Sequence, residues 1–364
     1  MKNINHSYCL WGTLVFLAGA IMGCSSSRTP EAENLLKNLK TTSSRGIMFG
    51  HQDDTVYGIG WEGESGKSDV KSVCGEYPAV ISFDLGHLEL GDSLNLDGVA
   101  FDKIRQEIIN QYERGGMISL SWHVRNPATG GDSWDVSDST VVKSILPSGN
   151  NHVLFAKWLN MLADFMNSLQ APTGEKIPVL FRPWHEHTGS WFWWGAALCS
   201  PEEYKALWKM TIDALKDKGV NHLLYAYSPG SEPQSVAEYM ERYPGDSIID
   251  LVGLDTYQSD KGEYLKNLEK GLAIIDSVGK QHDKAIALTE TGYEGIPDSL
   301  WWTQTLLPAI EKYPLSYVLV WRNARERITH HYAPYPGHPS AVDFVDFYQN
   351  PKTLFVSQLT SLYK

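Results

Sequence analysis

Two glutamates carry the chemistry that this sequence offers. Glu186 lies in Phe181-Arg182-Pro183-Trp184-His185-Glu186-His187, with Trp184, Trp191, Trp193 and Trp194 within eleven positions. Glu290 lies in Leu288-Thr289-Glu290-Thr291-Gly292. A carboxyl group among indole rings suits a proton donor in a carbohydrate cleft, because rings stack on sugar faces and apolar walls raise a carboxyl pKa. Glycoside hydrolysis needs a carboxyl pair: one protonates the leaving oxygen, and the other attacks the anomeric carbon or activates water. The competing explanation is an aromatic core patch with a salt-bridged Glu on its rim.

The pair works only if the fold brings it together. Eight short apolar runs recur: 46–50, 79–83, 117–122, 177–181, 222–227, 249–254, 284–288 and 316–321. They are nearly continuous in apolar residues, the pattern of parallel strands covered on both faces. Helical patterns lie between them, at 101–112, 153–169, 265–278 and 300–312. Ser200-Pro201-Glu202-Glu203 opens another, with an N-cap, a Pro at the first position and a capping-box Glu. Strand then helix, eight times, predicts a (β/α)8 barrel over 32–364, whose functional groups belong at the carboxyl ends of the strands. A doubly wound sheet is the alternative, without the Gly-rich phosphate turn that usually marks it. The unusual residues do fall at strand ends: His51-Gln52-Asp53-Asp54, Asp84, Trp122-His123, Arg182 with His185-Glu186, Asp255-Thr256-Tyr257, Glu290, and Trp321-Arg322-Asn323. Strands four and seven lie on opposite sides of such a barrel, so Glu186 and Glu290 face each other across its mouth.

Composition narrows the partners. The net charge is −12 with no Lys/Arg run, which argues against nucleic acid. Thirteen Trp and eighteen Tyr favour a ligand that stacks on rings. No CxxC or HExxH spacing supports a metal, and no cofactor is expected. There is no G-x-S-x-G elbow for an esterase. Lys2, the apolar stretch 8–22 and Gly23-Cys24 followed by a polar run read as a secretory leader. This resembles the lipobox of bacterial lipoproteins, with Ile21 where Leu is more usual. It implies a signal peptide over 1–23, acylation at Cys24, a tether over 24–31 and a domain held at the cell envelope, with an ordinary signal peptide or a membrane anchor as the alternative. No acidic run follows Cys24, which favours the periplasm over the cell surface. Cys74 precedes a strand and Cys199 follows one, so they belong at opposite barrel ends and are expected unpaired.

The strand-end motifs together resemble glycoside hydrolase family 26, of the retaining clan of (β/α)8 glycosidases. They are Gly50-His51-Gln52-Asp53, Ser121-Trp122-His123, Arg182-Pro183-Trp184-His185-Glu186 with Trp191, Gly253-Leu254-Asp255-Thr256-Tyr257, Thr289-Glu290-Thr291-Gly292 and Trp321-Arg322-Asn323. Many clan members have Asn before the acid/base Glu; family 26 has His, as His185 here. The resemblance implies Glu186 as acid/base, Glu290 as nucleophile, and Tyr257 as hydrogen-bond donor to the nucleophile. It also implies that His185 and His123 contact the reacting sugar, that Trp191 and Trp321 wall that subsite, and that Arg322 reaches the next sugar. Arg182 is a further donor to Glu290. The activity implied first is hydrolysis of β-1,4-mannan or galactomannan; β-1,3-xylan and mixed-linkage β-glucan are the alternatives. A monomer is expected. Trp134 and Trp61 divide between sugar stacking and loop packing, and His51 is a candidate contact for a distal sugar. Asp84 and Asp255 read as salt-bridge partners at the mouth, and Tyr332, Tyr335 and His338 as shapers of the cleft wall. A sugar-binding lipoprotein without catalysis is the reading from another class; the presence of both carboxylates with Tyr257 opposes it.

Overall fold

The computed structural model describes residues 28–364; Cys24 and the leader lie outside the described residues. Eight parallel strands form the barrel: β1 (Ile47–Gln52), β2 (Val80–Asp84), β3 (Met117–Ser121), β4 (Val179–Arg182), β5 (Leu223–Tyr227), β6 (Leu251–Gln258), β7 (Ala285–Tyr293) and β8 (Tyr317–Val320). Each pairs with the next, and β8 pairs with β1, which closes the sheet. All eight apolar runs are barrel strands. β6 and β7 extend past the predicted runs because they pair with each other as far as Gln258 and Tyr293. The mouth motifs of these two strands therefore sit within a hydrogen-bonded ladder and not on free loops.

Alternation along each strand sorts side chains into two layers. Residues such as Phe49, Ile81, Leu120, Phe181, Tyr225, Val252 and Val318 point outward into a core under the helices. Met48, Val80, Met117, Leu180, Leu224, Leu251, Ala285 and Tyr317 fill the lower interior. The helix Pro30–Thr42, which the sequence pattern left unread, closes that lower end with Leu35 and Leu39, joined by Leu362 and Tyr363 of the carboxyl terminus. Thr29 caps this helix, so Pro30 and Glu31 belong to its first turn and not to a tether.

The helices 101–113, 152–168 and 261–282 follow their apolar stripes. Ser200 and Glu203 form the expected capping box of Pro201–Asp217. The stretch 300–312 departs from expectation: a π turn, Trp302–Leu306, precedes a short helix, Leu307–Ile310. Pro308 has no N–H to donate and its ring clashes with the carbonyl four residues back; the wider π turn accommodates it. Cys74 and Cys199 are free thiols, as the strand order requires.

Candidate active site

Above the apolar layer the same inward register turns polar. Asp84, Ser121, Arg182, Ser228 and Asp255 converge at the mouth, all of them buried. Arg182 is the hub. Its Nη1 donates to Asp255 Oδ2 at 2.8 Å and to Ser228 Oγ at 3.2 Å, and its Nη2 donates to Glu290 Oε1. Tyr257 donates its phenol to Glu290 Oε2 at 2.7 Å. Both nucleophile-candidate oxygens therefore accept hydrogen bonds, one from a guanidinium that its two carboxylate partners keep protonated.

Strict alternation would not put Glu290 there. Ala285, Ala287 and Thr289 share the inward side of β7, which leaves Glu290 facing out. A bulge corrects this: Leu254 pairs with Leu288, but Asp255 pairs with Glu290. The extra residue, Thr289, turns Glu290 into the mouth, as bulges beside active sites do. Thr289 stays inside and donates to Leu254 O at 3.1 Å and to Asp255 Oδ1 at 2.6 Å. Gly253 makes the room, since a Cβ there would lie 2.5 Å from the Thr289 side chain.

Glu186 is held from the other side. Trp184 and Glu186 both adopt left-handed backbone, φ 57° and 52°, uncommon for large side chains. Three donors hold the turn: Tyr204 OH on Trp184 O at 2.8 Å, Trp194 Nε1 on His185 O at 2.8 Å, and Glu186 N–H on Ser228 O at 2.8 Å. Among the described residues, the Glu186 carboxyl accepts only the Trp191 indole N–H, at 2.7 Å to Oε2. Desolvation, then the charges of Glu290 and Asp255, push its pKa well above the ordinary carboxyl range. One oxygen each of Glu186, Asp255 and Glu290 lie within 4.8 Å of one another. Such a trio has metal-ligand spacing, but Arg182 already holds two of the three carboxylates and supplies the positive charge.

A second chain of hydrogen bonds lines the floor. His123 Nδ1 donates to Asp84 Oδ2 at 2.7 Å, and His123 Nε2 lies 3.2 Å from His185 Nε2. Burial alone would lower the His123 pKa; the Asp84 charge and hydrogen bond outweigh it and raise it. Burial, with Arg182 and His123 nearby, holds His185 neutral. Its Nδ1 has no partner among the described residues.

The four Trp of the central stretch divide. Trp184, Trp193 and Trp194 are fully buried, in the core as the competing explanation supposed, whereas Trp191 is 41% exposed. Trp134 is 47% exposed and stacks on His123 at 5.1 Å between centroids. Trp321 edges the same imidazole at 6.2 Å. Arg322 sits on the rim with Asp97 Oδ1 at 3.3 Å and Tyr57 OH at 3.4 Å. Asp84 and Asp255 are ion-paired as expected.

His51 is a correction. It shares the outward side of β1 with Ile47 and Phe49, is buried, and pairs with Asp54 at 2.7 Å; no sugar in the cleft can touch it. Trp61 is also buried and donates to Asp69 Oδ1 at 2.7 Å, so it packs its loop. The sequence reading missed Ser228, which caps the Glu186 turn and touches Arg182. Its signal was available: Ser228-Pro229-Gly230 ends the apolar run of β5. It also missed Phe192, whose ring lies 5.2 Å from His185 and 5.3 Å from His123.

The family model for glycosyl hydrolase family 26 matches residues 24–333. The chain belongs to glycosyl hydrolase family 26. A solved family 26 β-mannanase from Bacteroides ovatus is 65% identical, with a TM-score of 0.92 over 93% of this chain and 98% of that one. A modular endo-β-1,4-mannanase from Cellulomonas fimi is 34% identical, with a TM-score of 0.84 over 93% of this chain and 78% of that one. A mannan endo-1,4-β-mannosidase from Bifidobacterium adolescentis is 32% identical over 91% of this chain; the match spans 35% of that relative's length.

Proposed function

We propose that this family 26 protein hydrolyses β-1,4-mannosidic bonds in mannan, galactomannan or manno-oligosaccharides with retention at the anomeric carbon. The observation that carries the chemistry is the approach of Glu186 and Glu290 carboxyl oxygens to within 4.8 Å. That matches the short separation of about 5–5.5 Å found in retaining enzymes and leaves no room for the water an inverting enzyme places between its carboxyls. The names of the relatives supply the sugar.

In the first step Glu290 Oε attacks the anomeric carbon while Glu186 gives its proton to the departing glycosidic oxygen. The C–O bond breaks and a glycosyl ester of Glu290 forms. In the second step the Glu186 carboxylate takes a proton from water, which attacks the same carbon and releases Glu290. Desolvation of Glu186 keeps its proton available; Arg182 and Tyr257 orient Glu290 and take up its charge when the ester breaks. His185, His123, Trp191 and Trp321 form the reacting subsite, Arg322 reaches the next sugar, and Trp134 stacks at the rim. The chain is a monomer acylated at Cys24 and tethered in the cell envelope, with its domain in the periplasm. Mass spectrometry of the membrane fraction would detect the lipid, and a Cys24→Ser change would release the protein.

Incubation with linear mannan, galactomannan, β-1,3-xylan and mixed-linkage β-glucan tests the substrate, with Glu290→Ala in parallel. Mannan cleavage lost in the variant is the expected result. Cleavage of xylan or glucan alone keeps the mechanism and replaces the sugar. Sugar binding without turnover on any of the four would favour the binding-protein reading.

A further inference from the structure

Two motif residues, Gly292 and Asn323, touch neither carboxyl group, yet both lead to one ring. The loop after β8 leaves the mouth at Asn323 and returns at Tyr332. Asn323 Oδ1 accepts the backbone N–H groups of Tyr332 at 2.9 Å and Ala333 at 3.0 Å. Its Nδ2 donates to Asp69 Oδ2 at 2.9 Å and to Ala333 O at 3.0 Å. Asp69 in turn holds Trp61 Nε1 and the N–H of Ile59, so the returning strap is pinned to the loop after β1. A second tie runs from Gly295 N–H to His331 O at 2.9 Å. With the strap fixed at both sides, the Tyr332 side chain has one place to go.

That place exists only because residue 292 is glycine. A Cβ there would lie 2.3 Å from Tyr332 Cδ1 and 3.1 Å from two further ring atoms. Through this gap the Tyr332 ring meets the Tyr257 ring edge to face, at 5.6 Å and 71°. The His330 ring backs Tyr332 at 5.2 Å. Tyr257 is the phenol that donates to Glu290 Oε2 at 2.7 Å. A phenol on a Cα–Cβ hinge swings unless its ring is braced, and displacements on the order of 1 Å near reacting groups can cost about 100-fold in rate.

We propose that Tyr332 is a positioning residue for the nucleophile: its ring, seated on Gly292 by the Asn323 strap, holds the Tyr257 phenol on Glu290. The inference rests on the reading of Glu290 as nucleophile. The ring edge does the bracing, so the hydroxyl of Tyr332 is dispensable while its aromatic shape is not.

The test is a double-mutant cycle on a linear β-1,4-manno-oligosaccharide, with melting temperatures recorded for every variant. Tyr332→Leu keeps an apolar side chain but is smaller and loses the ring; kcat should fall about tenfold with KM changed less than about twofold, and Tyr332→Phe should restore most of the loss. In a Tyr257→Phe background the phenol is already gone, so Tyr332→Leu should add less than about twofold. A merely structural role would lower kcat by the same factor in both backgrounds, and that result would overturn the proposal. So would a Tyr332→Phe rate as low as that of Tyr332→Leu, which needs only the Phe variant to fold. Unchanged kcat in Tyr332→Leu beside an inactive Glu290→Ala sinks this inference alone. A fully active Glu290→Ala overturns the nucleophile reading and this inference with it.

Discussion

The two ends of the barrel interior are built from the same eight strands and are opposites. Below, Met48, Met117, Leu180, Leu224 and Leu251 meet Leu35 and Leu39 in a layer without charge. Above, three carboxylates gather beside one guanidinium, which hydrogen-bonds two of them. One end is stabilised by removing apolar surface from water. The other holds buried charge that is costly to the fold and is balanced mainly by Arg182. Stability and chemistry are thus separated along the barrel axis, and the helix and tail that close the lower end serve the groups at the upper.

The sharpest way to break the contrast is Glu186→Gln. Activity should fall about 10²–10⁴-fold on mannan, measured as initial rate, because the proposed proton donor is lost. Stability should move the other way. A Glu titrates near ~4.3 in an unfolded chain, and the Glu186 pKa is raised on folding. Its contribution is fully present below the unfolded value and is lost as pH rises through the folded one. The variant should therefore melt above the wild type at pH 7 and level with it at pH 4. Activity of the wild type should fall on the alkaline side as Glu186 loses its proton.

Arg182→Ala comes next. It leaves Asp255 and Glu290 buried without their cation, which should cost about 3–5 kcal/mol in chemical denaturation and also abolish turnover. At the lower end, Leu39→Ala should cost about 2–5 kcal/mol yet leave kcat per folded molecule unchanged, since nothing at the mouth touches it. A fall in kcat there would show that the two ends are coupled. The smallest effect belongs to the rim: Trp134→Ala should raise KM by several-fold, about 1 kcal/mol of stacking, with little change in kcat.

Much of this was legible beforehand because short-range rules carry it. Continuous apolar runs mark strands covered on both sides, and functional residues follow them by the geometry of the barrel. Glu290, Tyr257, His123 and Arg182 are expected at the mouth from their position at strand ends, and Glu186 from its place among tryptophans; the structure puts all five at the mouth. The helix Pro30–Thr42 was not, because its apolar stripe is thin and its partner is the barrel floor, which no local pattern reveals.

What the sequence by itself determined was the order of eight strands, the end of the barrel that bears the chemistry, and the residue types gathered there. What only the tertiary structure decided was which way individual side chains point. Period-two alternation sends His51 into the outer layer, away from the cleft. A single extra residue, Thr289, accommodated because Gly253 across the ladder has no side chain, turns Glu290 inward against that same alternation. Packing divides four neighbouring tryptophans into three core residues and one at the site, Trp191, because only it lies on the open side of the Glu186 turn. Direction depends on contacts between strands far apart in sequence, and those exist only once the barrel has closed.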